Sequence, residues 1–460
     1  MPLRLAAAAL AAGALLAAQP AAAAADADAT QLRAGTLTIN GTDAADTIAL
    51  TARPDSLELD LGDDGTVDAE VPRRGVHRIR IAAGGGDDRV RIDDGPLALL
   101  RFTPITVDGG DGYDIVTASA GRQVDVHRAG AGAVLDRHAF GSGIRLDASE
   151  EVLALTGDGA DEVRVGDLGE ALLQVSVGLA TDGRSDRITV AGSAATDFTD
   201  VLGFGDTVYV LGPTFVELLG AEPQDELIVD GDEGDDRMNV STGEGMVHTT
   251  LRGGPGGDHF LGGAAADRFE GGGGVDVVEG RRGDDDVQLG AGNDIAIWSA
   301  GDGADALDGR GGRDALTMWG GPAAEAFALE PGRMTADGQV IGLEAMERVE
   351  TVAQNGADTY HLADLSGTPV DEVVVSLSGV PATPRTDGLP DRVTVDGTAD
   401  DDALAIAGDA GRALVTGLPF RFAIERTEPA DSLAIDGGGG TDTLDTSGLL
   451  PGAIAATLAD

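Results

Sequence analysis

Between Gly253 and Thr317 an aspartate returns at positions 258, 267, 276, 285, 294, 305 and 314, with spacings of 9, 9, 9, 9, 11 and 9. Each closes a glycine-rich run, as in GGPGGDHFL (253–261) and GGGGVDVVE (271–279), and each precedes an apolar residue by two: Phe260, Phe269, Val278, Val287, Ala296, Leu307 and Leu316. Six glycine-rich residues suit a turn, and three suit a short strand with one inward side chain. Strands that short are not stable alone, so the units must stack. If two units make one coil, residues eighteen apart become neighbours about 4.8 Å apart. Asp258 then lies beside Asp276, Asp267 beside Asp285, and Asp276 beside Asp294. The two extra residues near Trp298–Ser299 are expected to disturb the pairing of Asp285 with Asp305 and of Asp294 with Asp314.

Stacked carboxylates repel one another. A chain that builds such ladders on both edges of a coil calls for a cation, and calcium fits best. It is a hard ion that takes six to eight oxygens at about 2.3–2.6 Å and tolerates irregular geometry. Glycine-rich turns let backbone carbonyls reach the same ion. The chain has no Cys, and its six His (His77, His127, His138, His248, His259 and His361) are scattered, which argues against zinc or copper. The competing explanation is a bare β-solenoid whose Asp and Gly only make tight turns.

The unit resembles the RTX, or haemolysin-type, calcium-binding nonapeptide GGxGxDxUx, where U is a large apolar residue. That resemblance implies a parallel β-roll with calcium held between consecutive turns by loop carbonyls and the sixth-position Asp. Carried over position by position, the implied ligands are Asp258, Asp267, Asp276, Asp285, Asp294, Asp305 and Asp314, with the first four best supported. The sequence departs from the pattern in places. Ala265 replaces the glycine at position four of its unit, Arg281 and Arg310 replace the second glycine, and Leu289 and Ala300 replace the first. Ala296 is a small inward residue.

Composition agrees with a thin-layered coil. Apolar residues reach 42% but aromatics only 3%, and there are 71 glycines without a collagen period. The net charge of −49 excludes nucleic acid as a partner, because phosphate binding needs basic patches. Met1–Ala25 reads as an export signal, with Arg4, an apolar run and A-x-A sites predicting cleavage near Ala25. Many RTX proteins leave by a dedicated channel without such a signal, so this is a further departure. No later stretch is apolar for the ~18 residues of a membrane span.

Looser relatives of the unit occur at 84–92, 109–117, 157–165, 231–239 and 437–445. None has an Asp partner eighteen residues away, so metal-free turns explain them equally well. A longer duplication relates SDRITVAGSAATD (185–197) to PDRVTVDGTADDD (390–402), and AEPQDELIVDG (221–231) to TEPADSLAIDG (427–437). The expected organisation is an N-terminal β-rich segment at 35–117, one module copy at 118–250, the nonapeptide array at 251–317 and a second copy at 318–460. The flanking copies are expected to cap the array. Only Leu343–Val349 is ambiguous between helix and strand. DLGDDGTVD (60–68) is expected to be a hairpin turn around Asp64–Gly65 rather than a calcium loop, since Gly62 and Val71 stand where oxygen ligands belong.

The fold class read from these patterns is all-β, a parallel β-roll or β-solenoid with flanking β-rich modules. The expected protein is secreted, binds Ca2+, has no catalytic residues, and serves a structural or interactive role toward cell-surface or extracellular-matrix components. No H-E-x-x-H or G-x-S-x-G motif is present. The rival is an extracellular polysaccharide-active enzyme, a lyase or epimerase on a parallel β-helix, which a cleft with converging Arg, His and acids would favour.

Overall fold

Alternation of apolar and polar residues with period two governs the strands and aims one set of side chains inward from each. The computed structural model describes residues 30–94, 98–137, 143–243, 245–377 and 388–459. The expected export signal lies outside these residues. Among them there is no helix, and the fold is an all-β, parallel β-roll or solenoid. The chain divides into two compact units: residues up to Val163 with Leu168–Ala180, and Arg164–Asp167 with Thr181 onward.

In the first unit, Thr36–Asn40, Arg78–Gly85, Ile105–Asp111 and Ile144–Asp147 pair in parallel to form one sheet. Thr47–Ala52, Arg89–Asp93, Ile115–Ser119, Glu151–Leu155 and Gln174–Gly178 form the other. The chain alternates between the sheets, and Leu37, Ile39, Ile79 and Ile81 of one and Ile48, Leu50, Val90 and Val116 of the other are all buried. The stretch at 60–68 is a hairpin turn. Ser56–Leu61 runs antiparallel to Ala69–Pro72, and the Asp60 carboxylate accepts the N–H groups of Asp64 and Gly65.

In the second unit, Arg187–Ala191, Glu226–Asp230, His248–Pro255, Arg268–Gly274, Asp286–Gly292 and Ala306–Gly312 build one parallel sheet. Arg237–Ser241, His259–Leu261, Val277–Glu279, Ile295–Ser299, Ala315–Trp319 and Arg348–Val352 build the other. The three-residue strand expected for each nonapeptide holds for His259–Leu261 and Val277–Glu279. On the opposite sheet the strands run seven residues, because the glycines keep pairing (Gly254 with Gly272, Gly272 with Gly290). Leu343–Val349 is not helical: it spans the end of Gln339–Glu344 and the start of Arg348–Val352.

All seven expected inward residues, from Phe260 to Leu316, are buried, and Phe260 meets Phe269 edge to face at 6.1 Å between ring centres. Ala296 is buried too, and Trp298 beside it turns inward as well.

Antiparallel three-strand excursions lengthen some coils. Gln123–Ala129 begins one in the first unit. Phe198–Phe204, Ala326–Glu330 and Ala403–Asp409 begin others in the second. Each returns the chain to the sheet it left, so the parallel coil resumes after an insertion.

Candidate calcium centre

Each of the five aspartates from Asp258 to Asp294 is bonded twice to the next coil. Its own N–H donates to the Oδ1 of the Asp one coil on, as in Asp258 to Asp276 (2.8 Å), Asp276 to Asp294 (2.9 Å) and Asp267 to Asp285 (2.8 Å). Its carbonyl accepts from the residue after that Asp, as Asp258 does from Val277 at 2.8 Å. The stacking expected from the nine-residue period is therefore present.

The expectation of a disturbed ladder at Trp298–Ser299 is corrected. Asp285 donates to Asp305 at 3.0 Å and Asp294 to Asp314 at 2.9 Å, each across 20 residues. The extra residues are taken up by a turn, in which the Asp302 carboxylate accepts the Ser299 N–H at 2.7 Å and the Trp298 indole donates to the Gly303 carbonyl. Further rungs of the ladder escaped sequence reasoning. Asp197 donates to Asp236 and Asp236 to Asp258 on one side, and Glu347 accepts from Asp314 on the other. Their spacings of 39, 22 and 33 residues hide them from a search at nine or eighteen.

The carboxylates are buried, from Asp276 and Asp314 at 0% exposure to Asp305 at 6%. With Oδ1 bonded, the Oδ2 atoms of Asp258, Asp276, Asp285, Asp294 and Asp314 have no hydrogen-bond partner, nor does Oδ1 of Asp267. Burial pushes these acids up against the charge they would carry. Asp285 rises to about 8 and Asp258 to about 7, with neighbouring aspartates adding to the rise and backbone N–H groups opposing it. Asp267, Asp276, Asp305 and Asp314 rise to about 6, and Asp294 also rises. Six buried, raised carboxylates with a bare oxygen each are unfavourable unless protonated or bound to a cation.

The glycines shape the space around those oxygens. A Cβ on Gly253 would stand 2.0 Å from Asp258 Oδ2 and 2.6 Å from the Gly271 carbonyl oxygen. On Gly271 it would stand 2.2 Å from the Leu289 carbonyl oxygen and 2.6 Å from Asp276 Oδ2. On Gly309 the neighbours are the Ala345 carbonyl oxygen at 2.2 Å and Asp314 Oδ2 at 2.6 Å. A carboxylate oxygen and a carbonyl oxygen of the adjacent coil thus converge on a space that any side chain would fill. Asp294 and Asp305 have Leu289 and Ala300 at this position instead. The second position of the unit needs a left-handed backbone: Gly254 and Gly272 have φ of 102° and 109°, and Arg281 and Arg310 are forced to 64°.

Among the described residues no three His, Asp or Glu side chains group as a metal cluster. A calcium ion here would be held by single carboxylates and backbone carbonyls, a hard all-oxygen set that suits it. The residues present fit that ion.

One open depression is lined by Arg313, Asp371, Glu372, Phe420 and Arg421. It contains no His. Arg313 bonds both Asp371 and Glu372 at 2.8 Å, which holds the Glu372 carboxyl below its ordinary value.

A parallel roll whose turns aim buried carboxylates and carbonyls at glycine-lined spaces defines a calcium-binding repeat protein. Residues 249–278 and 261–296 match the family model of the RTX calcium-binding nonapeptide repeat (4 copies), so the chain carries such repeats across 249–296. No curated protein matches the chain.

Proposed function

We propose that the protein is a secreted, non-catalytic calcium-binding roll whose array folds on calcium, serving a structural or surface-interaction role outside the cell. The observation that supports this reading is the ladder of buried carboxylates, six of which keep one bare oxygen, with Asp258, Asp276 and Asp314 turning theirs toward a neighbouring carbonyl in a glycine-lined space. The ligands are proposed to be Asp258, Asp267, Asp276, Asp285, Asp294, Asp305 and Asp314. Bound calcium would neutralise the facing carboxylates and tie successive coils together. A ligand that binds only the folded state stabilises it by about 2.7 kcal/mol per site at a hundredfold excess over Kd, so several sites together decide whether the array is folded. The flanking segments 118–250 and 318–460 are proposed to act as caps that cover the open ends of the roll.

The test is circular dichroism and calorimetric titration of the chain. Chelator is expected to melt the array and millimolar calcium to restore it. Magnesium should be much less effective, because it demands tight octahedral geometry. Identical spectra in chelator and calcium, with no heat of binding, would make the roll a bare solenoid.

A further inference from the structure

The array's geometry recurs in the first compact unit, outside the segment that matches the repeat family. Turn 109–114 reads GGDGYD and turn 83–88 reads AGGGDD. They lie 26 residues apart, which conceals the pairing in sequence, yet they are adjacent rungs. Asp88 N–H donates to Asp114 Oδ1 at 2.9 Å, and Ile115 N–H donates to the Asp88 carbonyl at 3.0 Å. Gly84 pairs with Gly110 just as Gly254 pairs with Gly272.

The backbone repeats residue by residue. Gly84, Gly86, Gly110 and Gly112 have φ of 116°, 103°, 105° and 144°, against 102°, 158°, 109° and 142° for Gly254, Gly256, Gly272 and Gly274. Gly86 N–H donates to the Asp111 carbonyl as Gly256 N–H does to that of Gly273. A Cβ on Gly109 would stand 2.1 Å from the Ala148 carbonyl oxygen and 2.5 Å from Asp114 Oδ2, the same cradle seen at Gly271 and Gly309.

The independent sign of a ligand is the state of the two acids. Asp88 is 1% exposed and Asp114 2%, and the Oδ2 of each is buried with no hydrogen-bond partner. The hydrogen bonds that stack the coils use Oδ1 and leave these oxygens over.

We propose that the first unit holds a calcium site of its own at turn 109–114, with Asp114 as its carboxylate ligand facing the Ala148 carbonyl across the space at Gly109; at Asp88 the matching position carries the Ala83 side chain. It rests on the calcium reading of the array and extends it to a region without tandem nonapeptides. The 26-residue separation is no obstacle, since Arg89–Asp93 and Ile105–Asp111 both pair in register in the two sheets.

Equilibrium dialysis of the full chain tests this. Asp114→Asn keeps an oxygen for the Asp88 N–H and removes the charge. It should bind one calcium fewer than the unaltered chain, and Asp276→Asn should leave that site filled. Tyr113 adjoins Asp114 and is 40% exposed, so terbium bound in place of calcium should emit on tyrosine excitation, with part of that emission lost in Tyr113→Phe. Hydrogen exchange needs no variant: calcium should slow the amides of 84–92 and 109–117 in the unaltered chain. Equal calcium uptake by Asp114→Asn, or exchange in these segments indifferent to calcium, overturns the site while leaving the array reading intact. No calcium uptake by the unaltered chain overturns both.

Discussion

Asp276 performs two tasks that a pair of substitutions separates. Its Oδ1 accepts the Asp258 N–H, and its bare Oδ2 faces the cradle at Gly271. Asp276→Ala leaves a buried N–H unpaired, a cost of about 1–3 kcal/mol. Asp276→Asn keeps an acceptor. In chelator at about pH 5, where protonation of the acids stands in for the metal, urea unfolding should then rank Asn close to the parent and Ala well below it; in calcium both should fall short of the parent. Equal behaviour of Asn and parent in calcium would remove Asp276 from the ligand set. The acids also set a pH dependence. Their folded values, about 6 to 8, lie above the ordinary 3.8, so the folded state holds more protons than the unfolded. In chelator their contribution is fully present below about pH 4 and is lost as pH rises through 6 to 8. The metal-free protein should therefore melt at a lower temperature at pH 8 than at pH 5. Calcium needs the ionised form, so its affinity should rise over the same window, with protons released on binding. Calorimetry in two buffers of different ionisation heat measures that release, and none at pH 6 would contradict the raised values.

At the scale of the turn and strand, a glycine matters for the room it leaves. Gly271 is not among the residues with positive φ, so alanine there meets no backbone strain. Its Cβ would instead occupy the space between the Leu289 carbonyl oxygen and Asp276 Oδ2. Gly271→Ala should weaken calcium binding at that rung at least tenfold while the strands on either side still form. Unchanged affinity by titration would show that the cradle is not where the ion sits. The strand beside each turn contributes one core side chain, and removing a large one such as Phe260 opens a cavity worth about 3–5 kcal/mol. The array thus has a thin apolar layer, which holds the coils together once the carboxylates are neutralised by calcium or by protons.

At the scale of the molecule, a net charge of −49 opposes compaction, and any stack of coils cut out of its neighbours leaves unpaired sheet edges. Fragment 251–317 made alone should be less soluble or less folded in calcium than the same segment with both flanks, since neighbouring coils extend both of its sheets through Glu226–Asp230 and Arg348–Val352. Sedimentation and circular dichroism of the two chains compare them directly, and equal behaviour would remove the capping role. The antiparallel excursions begin at corresponding places in the two sequence copies, Gln123–Ala129 with Ala326–Glu330 and Phe198–Phe204 with Ala403–Asp409.

The nine-residue recurrence of Asp, the glycines before it and the apolar residue after it by themselves determined a parallel stacked coil, its inward residues and the Asp258–Asp276–Asp294 ladder. They could do so because in tandem units sequence spacing and spatial spacing are the same thing. Where an excursion intervenes, that equality fails. The pairing of Asp88 with Asp114, of Asp236 with Asp258 and of Asp314 with Glu347 was decided only by the tertiary structure, because a longer connection between strands, or the excursion begun by Ala326–Glu330, still brings the chain back in register at any chain separation. The same reason lets the two residues inserted near Trp298 be absorbed in a turn. Hydrogen bonds between coils fix which residues face each other, and the number of residues between them is free to vary.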